Sequence, residues 1–148
     1  MAIFIGADHR GFELKNQIIE WMQTQDHQVE DMGAQELIPM DDYTDYAEKV
    51  GRSVAQEAGN RGIVICGSGA GVDIASNKIK GVRCTVGFNV EQIKAARKDD
   101  NLNVLAIACN FTLFEDAKTL IETFLNTPYD PTDNHARRIE KIKALENA

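Results

Sequence analysis

The sequence predicts an α/β chain, a three-layer α/β/α Rossmann-like domain on a five-stranded parallel sheet. Two observations predict it. Short apolar runs alternate along the whole chain with segments of helical periodicity, the pattern of a parallel sheet covered on both faces. The 148 residues hold no internal repeat, no low-complexity stretch and no Ser/Gly linker, and proline occurs only at 39, 128 and 131. One domain over 1–148 follows.

The elements read in order. Ala2–Gly6 is a short apolar run ended by glycine, a buried first strand. Leu14, Ile18, Trp21 and Met22 recur at helical spacing, so a helix spans about Arg10 to Gln25. Gln28–Met32 is a second strand, stopped by Gly33. Tyr43, Ala47, Val50, Val54 and Ala58 mark a second helix, with Asp41 or Asp42 as its cap. Gly62–Cys66 is a third strand, and Val72, Ala75 and Ile79 mark the helix after it. Val82–Val86 and Asn103–Ala108 are the remaining strands, separated by a helix through Val90, Ile93, Ala96 and Arg97. Leu113, Ala117, Leu120, Ile121 and Phe124 form a long helix. A loop over Asn126–Asp133 leads to a last helix from His135 to Leu145. This pattern does not determine the strand order.

Composition narrows the function classes. Hydrophobic residues make up 43% and charged residues 26%, enough for an ordinary core. The net charge of −7 opposes nucleic acid and anionic membranes over most of the surface. No apolar run is long enough to span a bilayer. The start of the chain has no basic leader and reads as a strand rather than a signal peptide, so the cytoplasm is the expected compartment. Cys66, Cys84 and Cys109 are odd in number and widely spaced, and are read as free thiols.

In parallel sheets ligands sit at the carboxyl ends of the strands. Those ends carry Asp8-His9-Arg10, Cys66-Gly67-Ser68-Gly69-Ala70-Gly71, Phe88-Asn89 and Cys109-Asn110. A loop with glycine at alternate positions between strand and helix exposes backbone N–H groups, suited to a phosphate or a developing enediolate. A tight connection without ligand reads equally well. It is not a P-loop, because Gly-Lys-Ser/Thr is missing, nor a dinucleotide fingerprint, because Val72 stands where the third glycine belongs. Cys66 adjoins this loop, and N–H groups at a helix start favour the reactive thiolate; a small buried strand residue is the plainer reading. Cys84 and Cys109 are assigned to the core. Asp8 is suited to exchanging a hydroxyl proton, and His9 and Arg10 to holding an anion. Three scattered histidines, without Cys-x-x-Cys or His-Glu-x-x-His, supply no metal motif, and no cofactor is expected.

Taken together, Gly6-Ala7-Asp8-His9-Arg10-Gly11-Phe12, Asp42-Tyr43, Tyr46-Ala47, Ile65–Gly71, Ala75-Ser76-Asn77-Lys78 and Asn103-Val104-Leu105-Ala106 resemble the ribose-5-phosphate isomerase B family, which includes the galactose-6-phosphate isomerase subunits. The resemblance covers nearly the whole chain. It implies a metal-independent aldose–ketose isomerase, forming a homodimer or homotetramer with active sites shared between subunits. It implies a C-terminal helix, over about 134–146, packed on a partner. By matching positions it makes Cys66 the base that moves a proton between C1 and C2. Gly67, Gly69, Ala70 and Gly71 then hold the enediolate oxygens with Ser68 assisting. Asp8 handles ring opening or hydroxyl protons, and His9 and Arg138 contact the phosphate.

Four positions, two of them adjacent, depart from the family pattern. Asp99-Asp100 replace a His-Asn whose histidine is credited with ring opening, Asn110 replaces an arginine, and Asn134 replaces another. Cations are lost and carboxylates gained around a pocket meant for a dianion. One unit charge at roughly 4 Å from a phosphate is worth about 4 kcal/mol at an effective dielectric near 20. Arg10 and Arg137 are possible replacements. Asp99 remains a candidate acid–base group, although a free aspartate titrates near 3.9, far from neutrality. The expectation is retained isomerase chemistry on a sugar phosphate such as ribose 5-phosphate or on a changed sugar, unphosphorylated or differently substituted. The other readings are a non-catalytic or half-site sugar-binding subunit that needs a partner, and a nucleotide- or flavin-binding domain, against which the failed fingerprint counts.

Overall fold

The computed structural model describes residues 1–148. Its strands are β1 (Ile3–Ala7), β2 (Val29–Asp31), β3 (Arg61–Cys66), β4 (Cys84–Val86) and β5 (Val104–Ala108). Its helices are α1 (Phe12–Thr24), α2 (Tyr43–Ala55), α3 (Ala70–Ser76), α4 (Val90–Asp100), α5 (Phe114–Asn126) and α6 (Asp133–Glu146). All strand pairs are parallel, in the order β2-β1-β3-β5-β4. The expected fold class and element sequence therefore hold. β2 and β4, the two edge strands, are each three residues, shorter than the five-residue segments Gln28–Met32 and Val82–Val86 expected for them.

Side-chain alternation divides the core in two. Ile3, Ile5, Ile63, Ile65, Leu105 and Ile107 face α1, α4 and α5, where Ile18, Met22, Ile93, Ile121 and Phe124 complete one cluster. Phe4, Val64, Cys66, Val104 and Ala106 face α2 and α3, meeting Ala47, Val50, Val54 and Val72. Burial on both faces explains why β1, β3 and β5 read as continuous apolar runs rather than alternating ones.

The turn from β1 into α1 is drawn tightly onto β3. A Cβ on Gly11 would stand 2.6 Å from Ile65 Cγ2 and 3.0 Å from Ala7 Cβ. Gly11→Ala is expected to cost about 1–3 kcal/mol through overpacking, lowering the melting temperature by about 5 °C for a domain of this size. Thermal unfolding followed by circular dichroism checks it; an unchanged midpoint would mean that the turn relaxes freely.

From β1 the chain moves outward to β2, then crosses to β3 on the other side. The reversal leaves a crevice between the carboxyl ends of β1 and β3, the switch point where open α/β sheets bind ligands.

Candidate active site

Three strand ends and one loop meet at that crevice. Asp8, His9 and Arg10 follow β1; Cys66, Gly67 and Ser68 end β3; Asn110 and Phe111 follow β5. The loop entering α2 adds Asp41, Asp42 and Tyr43. They line a cleft of about 480 Å³.

Each polar group is held by local geometry. Asp8 is buried, and its Oδ1 accepts the N–H groups of Arg10 (3.0 Å) and Gly11 (3.2 Å). This Asx turn fixes the carboxylate and leaves Oδ2 without a protein partner. The ends of β3 and β5 stay paired past the sheet: Cys109 N–H donates to the Cys66 carbonyl (2.9 Å) and Asn110 N–H to the Gly67 carbonyl (3.0 Å). Cys66 is 4% exposed at the cleft floor. Gly69 has φ +74, a left-handed turn that starts α3, and Ala70 N–H donates to Ser68 Oγ (3.2 Å). That bond occupies one N–H of the loop and leaves the Ser68 proton as a donor. The Arg10 guanidinium and the Asn110 amide both lie against Gly67, each 2.9 Å from where a Cβ would stand.

The other two cysteines lie outside the cleft lining. Burial pushes the Cys84 thiol well up, helped by Asp73. Burial also raises Cys109, with the Asp8 carboxylate adding to it. Both are therefore held as thiols, packed against the two core clusters as expected.

One group was missed by sequence reasoning. Asp41 was read only as a possible helix cap, but Asp42 takes the cap position, with no side-chain bond to the helix. Asp41 Oδ1 instead accepts the His9 backbone N–H (2.7 Å) and lies 3.0 Å from His9 Nδ1; Oδ2 accepts the Tyr46 hydroxyl (2.8 Å). Burial pushes the Asp41 carboxyl up, but the bonds from Tyr46 and His9 outweigh it and hold the group below its ordinary value. Burial and the Asp41 carboxylate push the Tyr46 phenol up to about 12. The Asp41-Asp42 doublet was the available signal: a single cap position leaves one of the two free for another task.

A family model described as Ribose/Galactose Isomerase matches residues 3–142. The chain belongs to that isomerase family. It is 35% identical to ribose-5-phosphate isomerase B of Mycobacterium leprae over 146 residues, covering 99% of this chain and 90% of that protein. Ribose-5-phosphate isomerase B of Mycoplasma genitalium, solved with bound ribulose 5-phosphate, superposes with a TM-score of 0.93 at 35% identity, covering 99% of this chain and 96% of that one. The enzyme of the same name from Clostridium thermocellum gives 0.94 at 33% identity, covering 99% and 98%.

Within one chain of this isomerase-family fold, several expected site residues lie away from the cleft. Gly69 is buried, and neither it nor Ala70 belongs to the cleft lining. Asp99 pairs with His135 across α4 and α6, Oδ1 to Nε2 3.3 Å. Asp100 lines a separate hollow of about 630 Å³ with Ile142 and Leu145. Arg138 is exposed on α6, and Arg137 donates to Asn134 Oδ1 (3.1 Å). The reason is the direction of α4. It starts at the cleft rim after β4, and its 11 residues carry Asp99 and Asp100 about 16 Å toward the opposite rim. Asp8, His9, Arg10, Cys66, Gly67, Ser68, Gly71 and Asn110 are brought together; Asp99, Asp100 and Arg138 are not.

Proposed function

We propose that this chain interconverts an aldose and a ketose through an enediol, with Cys66 as the base that moves a proton between C1 and C2. Family membership makes the chain an aldose–ketose isomerase. The observation that supports Cys66 is its place at the floor of the switch-point cleft, between the Asp8 carboxylate and the Gly67–Gly71 loop.

The scheme follows from the groups present. The Cys66 thiolate takes the proton from C2 of the open-chain aldose, and the electrons pass to the carbonyl oxygen. Ser68 and the N–H groups of the loop oppose the charge that develops there. The proton returns to C1, while Asp8 Oδ2 exchanges the hydroxyl protons at O1 and O2. Hydrogen moves within one molecule with no net oxidation, so the chemistry needs no redox cofactor and, in this scheme, no metal.

The substrate's charged end is the open part. The cleft of one chain has Asp8, Asp41 and Asp42 against a single arginine, Arg10. A phosphate dianion there needs further cations. A second copy of the chain is the natural source, in a homodimer or homotetramer that brings Arg137 and Arg138 of α6, with Asp99 and Asp100, to this rim. Phe88 and Phe111 stand 80% and 81% exposed beside the cleft, and Leu113 follows them, an apolar border suited to such a neighbour. If no second copy supplies the cations, the sugar is unphosphorylated.

An isomerase assay across ribose 5-phosphate, allose 6-phosphate, galactose 6-phosphate and the free aldoses, with and without chelator, tests this. Turnover unaffected by chelator is expected. A micromolar Michaelis constant for ribose 5-phosphate would mean that the anion site is rebuilt around Arg10 and a second copy. Turnover of free sugars alone would mean that the substituted positions mark a change of substrate. Absence of turnover with every sugar would overturn the enzymatic reading in favour of a sugar-binding half-site, which the single-arginine cleft also supports.

A further inference from the structure

The amino ends of β3, β4 and β5 form the rim opposite Cys66, and three arginines gather there. Arg61 begins β3, Arg83 precedes β4, and Arg97 lies on α4. Two of them tie down backbone. Arg83 Nε donates to the Asp100 and Asn101 carbonyls (3.1 and 2.9 Å), and Arg97 donates to those of Thr127 (3.0 Å) and Leu102, beyond the ends of α5 and α4. Arg61 is different. Its Nη1 donates to the Asn60 carbonyl (3.0 Å), while its Nε is buried with no partner. No carboxylate lies within 4.0 Å of any of the three guanidiniums. Buried charges are ordinarily paired, so cations gathered without an anion destabilise one another. Burial, and next the charge of Arg83, push the Arg61 guanidinium below its usual value; burial, and next Arg61 and Arg83, push that of Arg97 down to about 10. Both remain cations at neutral pH.

Arg61 and Arg83 line a hollow of about 470 Å³ that α6 walls on one side and that Asn101 and Tyr129 also line. Its free groups are donors. Nη2 of Arg61, Nη2 of Arg83 and the Tyr129 hydroxyl donate to no protein group. Asn101 Oδ1 is taken by Arg97 Nη1 (3.1 Å), which leaves the amide NH₂ as its free end. Two carboxylates line the hollow, Glu57 and Glu140; both are exposed, and Glu140 holds Lys143 (2.6 Å). Donors without matching acceptors suit an oxyanion, and the planar guanidinium fork suits phosphate oxygens in particular. We infer that this hollow is an anion site, taking inorganic phosphate or the phosphate group of a small ester between Arg61 and Arg83. The two charges of a phosphate dianion match the two guanidiniums, and the volume has room for a small organic group beside it. The site stands on the rim opposite Cys66 and is independent of the isomerase reading.

Titration of the full chain with inorganic phosphate, at constant ionic strength in chloride buffer, tests the site through nuclear magnetic resonance of the arginine ¹⁵Nε groups. A saturable shift of the Arg61 signal is expected. Arg61→Lys keeps the charge but loses the fork, and is expected to weaken phosphate binding, measured by calorimetry, roughly tenfold. Arg10→Gln, in the cleft, is expected to leave the binding within about twofold, as for a distant and independent position. Glycerol 3-phosphate in place of phosphate separates the two sources: tighter binding assigns an ester, weaker binding the free ion. A wild-type Arg61 signal that does not move, or that follows chloride as it follows phosphate, overturns the proposal. Binding that Arg10→Gln abolishes and Arg61→Lys leaves intact also overturns it, because the phosphate is then in the cleft. So does an oligomer that dissociates in Arg61→Gln with no phosphate bound by the wild type, since a second copy's carboxylate would then be the missing anion.

Discussion

Replacing Cys66 with alanine is expected to lower turnover roughly 10³-fold or more, the upper part of the range for losing a positioned base, with the fold retained. A 10³-fold loss is about 4 kcal/mol of barrier. The folding cost is smaller. Cys66 fills a small place among Val64, Val72 and Ala106, and its backbone carbonyl keeps the bond from Cys109; an ordinary substitution costs about 1 kcal/mol. Cys66→Ser should fare little better, because a hydroxyl gives up its proton far less readily than a thiol. No other thiol takes over: Cys109 and Cys84 are both pushed up by burial. Exchange of the substrate's C2 hydrogen in heavy water isolates the step, since it reports proton removal even when ring opening limits turnover. Exchange preserved within tenfold in Cys66→Ala would remove Cys66 as the base and leave Asp8 the next candidate.

Much of this arrangement was legible because its causes are local. Apolar runs with glycine ends placed the buried strands within a residue or two, and helical spacing placed α1, α2, α5 and α6. The strand order was not legible, since β1, β3 and β5 are each buried on both faces and their sequences carry nothing that distinguishes one neighbour from another. The strand-end rule recovered Asp8, His9, Arg10, Cys66 and Asn110 as one rim. It could not recover Asp41, whose role depends on a contact across 32 residues. The grouping of Asp99 and Asp100 with the cleft came from resemblance alone. Helix direction was readable in the sequence and argued otherwise: a helix that leaves the cleft rim after a strand returns its end to the far rim. The two views agree only in an assembly, where one copy's far rim meets another copy's cleft.

The second large effect concerns the support of the Asp41 loop. Lys15→Ala is expected to destabilise the protein by about 3 kcal/mol, the lower end of the cost of breaking a buried ion pair, and to lower the melting temperature by about 10 °C. Lys15 is fully buried on α1, a position that the apolar spacing of the helix passes over because its stem packs like a hydrocarbon. Its Nζ donates to Asp31 Oδ2 (2.7 Å) and the Ala34 carbonyl (3.0 Å), and lies 5.2 Å from the centre of the Phe12 ring. Asp31 is 23% exposed, so water offsets part of its loss, which places the effect at the lower end. Alanine would leave a cavity and an unpaired carbonyl under the segment that runs from β2 toward Asp41. Lys15→Met fills the space without the charge and is expected to recover part of the stability, separating packing from pairing. Thermal unfolding measures both variants. A Lys15→Ala midpoint within about 2 °C of wild type would show that the pair contributes nothing net. A large drop in Lys15→Ala that Lys15→Met only partly restores would assign the remainder to the bonds with Asp31 and the Ala34 carbonyl.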